Sequence, residues 1–120
     1  MPLTLDTVHA SDSHSHVRLV GTLDIDGVRA VELKFTASTA SRRTHAIVDL
    51  SQVTFIASLG MGMLVGVARA LAAGKHRLVL VAPQPHVATA LRTARLESIM
   101  PIAADLDAAR ALVSAGPPAA

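Results

Sequence analysis

Ser58 is the residue whose type and position point most directly to chemistry, because it opens a helical pattern immediately after an apolar segment. Its hydroxyl can serve as an N-cap, accepting from free backbone N–H groups and stabilising the helix by about 1 kcal/mol. Alternatively, those N–H groups and the positive end of the helix dipole would stabilise a phosphoryl group on the same oxygen. The sequence leaves both roles open.

A hydrolase nucleophile at Ser58 is not indicated. In a nucleophile elbow the serine lies between glycines in the pattern G-x-S-x-G, and Ile56 stands in place of the first glycine. An acid must then precede a histidine further along the chain, yet no Asp or Glu occurs between Ser58 and His86. We therefore predict that the protein is not an enzyme and has no catalytic residues.

The glycines that follow also fail to match a dinucleotide-binding loop. Gly60, Gly62 and Gly66 are spaced G-x-G-x-x-x-G, and no acidic residue lies at the distance that such a loop requires. We interpret Gly62 and Gly66 as positions where a helix closely approaches a neighbour. No cofactor is predicted.

A metal site is not predicted either. His9, His14 and His16 occur with Asp12 in a polar connection, but no second cluster supplies a fixed geometry, so we interpret them as solvated loop residues. The chain has no cysteine, which excludes disulfides, thiolate metal ligands and a cysteine nucleophile.

Alternating strands and helices must position these residues. The predicted order is ββαβαβαβα, an α/β fold with a mixed, mostly parallel sheet of four to five strands and about four helices. Asp26 is the predicted N-cap of the first helix, and Gly74 the C′ residue of the second. The predicted strands cover residues 3–8, 16–23, 46–50, 78–82 and 99–103, and the helices about 27–42, 58–73, 85–94 and 106–113.

Helix 58–73 is apolar on two sides. One side presents the stripe of Leu64, Val67, Ala68 and Leu71, which should face the sheet. The opposite side is predicted to leave apolar area exposed, which usually marks a binding site for a partner. Flexible methionine thioethers suit such a surface. This second side carries Leu59, Met61, Val65 and Ala72, with Met63 nearby and Arg69 as its only charge.

Composition narrows the functional class. Hydrophobic residues make up 51% and charged residues 17% of the 120 residues, with a net charge of +2. Two Phe and no Trp or Tyr leave almost nothing for bases to stack on, which argues against binding to single-stranded nucleic acid. We predict one domain over residues 1–115 and a loose tail over 116–120. No secretory signal or membrane span is evident, so a cytoplasmic location is expected.

Three segments resemble the STAS family. Val48-Asp49-Leu50-Ser51, followed by Ala57-Ser58-Leu59-Gly60, resembles its signature of a strand, Asp-Leu-Ser, a short apolar loop and Asp-Ser-x-Gly. Gly21-Thr22-Leu23-Asp24 resembles the family's G-x-L-D. The segment from Leu96 to Ile102, followed by Asp105, resembles its last strand and helix. The resemblance covers nearly the whole chain.

The resemblance implies an anti-sigma factor antagonist. Such a protein binds an anti-sigma factor, often a serine kinase, and thereby releases a sigma factor. The kinase reverses binding by phosphorylating the serine that Ser58 matches, near an acid that Asp24 matches. Ala57 stands where the family has Asp. The implied partner-binding residues are Asp24, Ala57, Ser58, Leu59, Gly60, Met61, Gly62, Val65 and Arg69.

Two other functions remain open within the same resemblance. One is a STAS-like accessory subunit of a bacterial lipid or ABC transport complex, which Ala57 makes more credible because such members need not keep Asp-Ser. The other is a nucleotide-binding sensor. Neither alternative involves direct nucleic-acid binding or membrane insertion, and the oligomeric state is open.

Overall fold

The computed structural model of the chain describes residues 3–114, and the predicted tail at 116–120 lies outside them. The predicted order ββαβαβαβα is confirmed. Short 3-10 helices occupy Ala40–Arg42 and Leu96–Ser98. The strands are β1 Thr4–Ala10, β2 His14–Leu23, β3 His45–Ile56, β4 Leu78–Val81 and β5 Ile102–Ala103, and the helices are α1 Ile25–Ser38, α2 Ser58–Ala73, α3 Pro85–Thr93 and α4 Leu106–Ser114.

The five strands form one sheet in the order β1-β2-β3-β4-β5. β1 pairs antiparallel with β2, as a hairpin connection requires. Every other neighbouring pair is parallel, because a helix intervenes between the strands. The predicted α/β class and mixed, mostly parallel sheet are therefore confirmed.

Helices cover the sheet unequally. On one face, α1, α2 and α3 bury the main core, which includes Phe35, Leu64 and Leu91. On the other face, α4 packs Ala109 and Val113 against β3, β4 and β5. β4 is covered on both sides and all four of its residues are buried, which explains its continuous apolar sequence.

The second helix has the bounds that its periodicity predicts. Leu64, Val67, Ala68 and Leu71 are all buried in the main core, so the predicted sheet-facing stripe is confirmed. Its end differs from the prediction. Gly74 is the C-cap with φ −93°, and Lys75 is the residue in the left-handed region, with φ 64°.

The bounds of all five strands differ from the prediction, and β3 and β5 differ most. β3 continues to Ile56 because its pairing with β2 resumes after a bulge at residues 50–51 and runs on to Leu23↔Ile56. β5 begins only at Ile102 because the N–H groups of Ile99 and Met100 both donate to the carbonyl of Leu96, forming a turn. The hairpin connection is also shorter than expected, spanning residues 11–13.

The N-cap of α1 is Asp24, not Asp26. Asp24 Oδ1 accepts from the backbone N–H of Gly27 at 2.8 Å, whereas Asp26 is exposed in the first turn. Asp105 does cap α4 as predicted, accepting from the N–H of Ala108 at 2.8 Å. No helix within residues 3–114 has the length and apolar character to cross a membrane.

Candidate functional site

The parallel pairing of β2 and β3 brings Asp24 and Ser58 to the same end of the sheet. Leu23 and Ile56 are register partners at the carboxyl ends of these strands, and the N–H of Ala57 donates to the carbonyl of Leu23 at 2.9 Å. α1 begins immediately after β2, and α2 almost immediately after β3. Two helix N-termini therefore lie at one edge, as the carboxyl ends of parallel strands require.

Glycine is required at three points of this edge, and one of them is Gly27, where a Cβ would overlap the carbonyl oxygen of Thr22. Gly21 has φ 121°, a backbone conformation that other residues rarely adopt, where the register between β2 and β3 shifts. A Cβ on Gly60 would lie 2.7 Å from the carbonyl oxygen of Leu23, so only glycine lets α2 approach β2 this closely. The glycines of the G-x-L-D and S-x-G segments are thus architectural.

The predicted close approach at Gly62 and Gly66 is wrong. A Cβ at either position would meet no atom within 4 Å, and both residues are exposed on α2. The helix tolerates two residues of poor helix propensity without any packing reason inside the described chain. The close approach occurs instead at Gly60, which packs against Leu23. The spacing of the three glycines in the sequence did not distinguish it from the other two.

Ser58 is exposed and is the first residue of α2. Ala57 occupies the N-cap position, with φ −99° and ψ 170°, and a methyl group cannot accept a hydrogen bond. The N-cap interpretation of Ser58 is therefore not what the structure shows. The first turn of α2 contains no acidic residue, so nothing in it offsets the positive end of the helix dipole.

Asp24 has a structural partner of its own. Its carboxylate is half-buried and accepts from Gly27, which commits one oxygen to the start of α1. The acid that the resemblance places near Ser58 is thus at the same edge, held in position by a neighbouring helix.

Asp49 of the Asp-Leu-Ser segment lies deeper in the sheet. Its Oδ1 accepts from the N–H of Ser51 at 2.8 Å, and its Oδ2 pairs with Arg18 at 3.1 Å. Burial acts to raise the pKa of Asp49, but the Ser51 hydrogen bonds and the Arg18 charge outweigh it and hold the pKa below its usual value. Asp49 thus fixes the bulge of β3 and does not belong to the exposed edge.

Large apolar side chains are exposed around Ser58. Leu59 is 47% exposed, and two residues that the sequence analysis did not identify, Phe55 and Ile25, are 51% and 55% exposed. Each lies within three residues of the paired strand ends Leu23 and Ile56. We call Ile25, Phe55, Ser58, Leu59 and Gly62 the carboxyl-end surface. The position of the apolar Ile25 between two acidic residues, Asp24 and Asp26, could have indicated from the sequence that its side chain is exposed.

The other predicted partner-binding residues differ in accessibility. Arg69 is exposed, Ala57, Met61 and Val65 are half-buried, and Gly60 is buried. Met61 and Val65 also pack against the main core. Met63, which was expected to suit a partner surface, is buried within that core. The exposed side of α2 is therefore narrower than predicted, and it extends toward Phe55 and Ile25.

Comparisons with known proteins agree with this architecture. The family model described as "Mlab, STAS domain" matches residues 7–102. No curated protein sequence matches the chain significantly.

Solved structures with this fold include anti-sigma factor antagonists. One from Mycobacterium paratuberculosis is 25% identical, with a TM-score of 0.79, covering 92% of this chain and 95% of its own. SpoIIAA in its unphosphorylated form is 24% identical, with a TM-score of 0.71, covering 93% and 96%. The Bacillus cell fate determinant SpoIIAA in the phosphorylated form is 23% identical, with a TM-score of 0.63, covering 92% and 98%.

The match spans most of the chain and includes both helix starts at the carboxyl end of the sheet. The chain therefore belongs to the STAS family, and it shares its fold with anti-sigma factor antagonists.

Proposed function

We propose that this protein is a cytoplasmic anti-sigma factor antagonist, which binds an anti-sigma factor through the carboxyl-end surface and so releases a sigma factor. The observation that carries the proposal is the exposure of large apolar side chains around Ser58, at the edge where α1 and α2 begin. Exposed apolar clusters of this kind usually mark protein-binding sites.

Burial of the exposed apolar side chains would supply free energy of binding. Ile25, Phe55 and Leu59 each leave about half of their surface in contact with water. Complete burial of one large apolar side chain contributes about 1.5–3 kcal/mol, so covering the exposed halves contributes about 1 kcal/mol each. Three such residues would provide several kcal/mol before polar contacts are added.

The residues proposed for partner binding act in two ways. Ser58, Leu59, Gly62 and Arg69 are exposed and would contact the partner directly, with half-buried residues at the margin. Gly60 and Asp24 would act by positioning, since Gly60 allows α2 to approach Leu23 and Asp24 caps α1. The marginal residues are Ala57, Met61 and Val65.

Phosphorylation of Ser58 would control this binding. The hydroxyl is exposed at a helix start where no acid and no side-chain cap is present, so a phosphoryl group would be electrostatically favourable there. The Ala57 methyl leaves the N–H groups of the first turn open to such a group. A fold relative, SpoIIAA, has been solved in both unphosphorylated and phosphorylated forms, which supports this role.

The same phosphoryl group would oppose partner binding. It adds about −1.5 to −2 charges to a surface whose other large side chains are apolar. Covering that charge with a protein surface costs about 3 kcal/mol, which corresponds to about a hundredfold loss of affinity.

The test measures the affinity of purified anti-sigma factors from the same organism for the wild-type protein and three variants. Ser58→Ala should bind like the wild type, and Ser58→Asp should bind about a hundredfold more weakly. Ser41→Asp adds the same charge at an exposed site away from this edge and should bind like the wild type. Equal affinities of Ser58→Ala and Ser58→Asp would refute the switch.

A second candidate is an accessory subunit of a bacterial lipid or ABC transport complex. Ala57 at the position of the family's Asp favours it, because a transport subunit needs no kinase to recognise the serine. The carboxyl-end surface would then bind an ATPase or a permease. Stable copurification with such a protein, unaffected by Ser58→Asp, would favour this candidate over the antagonist.

A further inference from the structure

The amino end of the parallel strands, opposite the carboxyl-end surface, contains a cavity of about 590 Å³. Its walls come from the β1–β2 turn, the starts of β2 and β3, the connection after α2 and the end of α4. We call this cavity the amino-end pocket. The residues that matter for its chemistry are Asp12, His14, Thr44, His45, His76 and Arg110.

The sheet register brings the imidazoles of the pocket together. His14 and His45 are direct register partners at the starts of β2 and β3. The ring of His76 lies edge-on to that of His45, with centroids 5.3 Å apart, and His9 lies 5.2 Å from His14. Arg110 reaches the pocket from α4, and its ion pair with the exposed Asp107 is long, at 4.0 Å.

This arrangement places basic groups beside one another with little negative charge to favour their protonation. Burial lowers the pKa of His14, and the charges of His9 and Arg110 lower it further. Burial likewise lowers the pKa of His45, with His76, Arg77 and His14 adding to the effect. Asp12 is the one carboxylate among the lining residues, and Asp49 acts on the neighbouring His16. An anion in the pocket would relieve this repulsion.

Unpartnered polar atoms also gather at this end. Buried polar atoms in proteins are normally hydrogen-bonded, so each exception needs an explanation. Within residues 3–114, the buried side-chain atoms without a partner are Thr44 Oγ1, Ser15 Oγ and His16 Nε2. Thr44 lines the pocket, and the other two lie beside His14 on β2. His16 is 5% exposed, so its interpretation as a solvated loop residue is wrong.

We propose that the amino-end pocket binds a phosphate monoester dianion. Imidazole and guanidinium groups line the cavity, and the oxygens of a phosphate accept hydrogen bonds from both kinds of donor. The volume lies in the range of small-molecule sites, which leaves space for an organic group beside Val113. A metal ion fits less well, because no three metal-ligating side chains of the described chain are grouped suitably.

The hydrogen bonds of the rings set how the anion would be held. His45 Nδ1 accepts from the backbone N–H of Arg77 at 2.9 Å, so neutral His45 carries its proton on Nε2 and donates without becoming charged. His14 Nδ1 lies 3.2 Å from the hydroxyl of Ser13, which can accept as well as donate. A bound dianion would raise the pKa of His14 and so favour the uptake of a proton by this ring.

The experiment follows the histidine ring signals by NMR while the full chain is titrated with glycerol 3-phosphate at constant ionic strength. Saturable shifts at His14 and His45 are expected, together with a rise in the pKa of His14 on saturation. A parallel titration with inorganic phosphate distinguishes an organic phosphate ester from free phosphate as the ligand. Tighter binding of the ester identifies an organic phosphate, and equal affinity identifies free phosphate; both outcomes support the site. Shifts that sodium chloride reproduces, or no saturation with either phosphate, would overturn it.

Three variants sharpen the test. Arg110→Gln should weaken binding by about tenfold or more, because a charged donor is lost, whereas Arg29→Gln on the exposed side of α1 should bind like the wild type. His14→Ala removes an imidazole that lines the pocket, and it should weaken binding about threefold or more. Wild-type affinity in both Arg110→Gln and His14→Ala would contradict the proposal.

Discussion

The two ends of the central strands differ in chemistry. At the carboxyl end, Ile25, Phe55 and Leu59 expose apolar area around a serine hydroxyl. At the amino end, the basic side chains of His14, His45 and Arg110 line a pocket. The ten residues of β2 separate the two ends by about 30 Å. We propose that one end binds a protein partner and the other a small anion, and substitutions can alter either end without contacting the other.

The largest expected effect comes from placing a charge on the carboxyl-end surface. Leu59→Asp should weaken binding of the anti-sigma factor by about a hundredfold. The partner would cover a carboxylate, which loses its hydration, in place of the apolar side chain of Leu59. Titration calorimetry measures this affinity. Leu33→Asp is the control, since Leu33 is 87% exposed on α1, and it should change the affinity little.

The same variant tests the independence of the two ends. Leu59→Asp should bind glycerol 3-phosphate with wild-type affinity, because the amino-end pocket is about 30 Å away. A parallel loss at both ends would show that the substitution disturbs the whole fold.

A smaller effect distinguishes two glycines of α2. Gly60→Ala should lower the free energy of unfolding by about 2 kcal/mol, because its Cβ would meet the backbone of Leu23. Gly62→Ala should raise it by up to about 1 kcal/mol, because Ala favours a helix and the added methyl meets nothing. Urea denaturation followed by circular dichroism measures both values. A destabilising Gly62→Ala would place an unseen contact at the carboxyl-end surface.

The smallest expected effect is the pH dependence that the amino end confers on stability. Burial and neighbouring positive charges lower the pKa values of His14 and His45. They also lower the pKa of His16, where they outweigh the opposite effect of the Asp49 carboxylate. Below the ordinary histidine pKa of about 6.5, the unfolded chain therefore binds more protons than the folded chain. The free energy of unfolding should fall as the pH falls from about 7.5 through about 6.5 toward the lowered histidine pKa values of the folded chain.

Urea denaturation at several pH values checks this slope. His45→Asn keeps an acceptor for the Arg77 N–H and removes one titrating ring, so the slope should become shallower. Gly62→Ala is the control from the carboxyl end, and it should shift all values equally. Saturating glycerol 3-phosphate should reduce the loss of stability at the acidic end, because it binds the folded chain.

Much of the fold could be predicted from local patterns. The periodicity of Leu64, Val67 and Leu71 correctly predicts the buried side of α2, and the apolar run of β4 is typical of a strand that is covered on both faces. The single-domain boundary at residue 115 and the partner-binding residues stay predictions. Ile25 and Phe55 were missed because exposure of an apolar side chain depends on which neighbours cover it.

The sequence alone determined the order of the elements, because hydrophobic periodicity and turn residues act over a few neighbouring positions. It also determined that a serine opens α2. Only the tertiary structure decided that Asp24 and not Asp26 caps α1, since the end of β2 depends on its pairing with β3. Only the tertiary structure joined His14, Thr44, His76 and Arg110, because they come from segments far apart in the chain and meet through sheet register and helix packing.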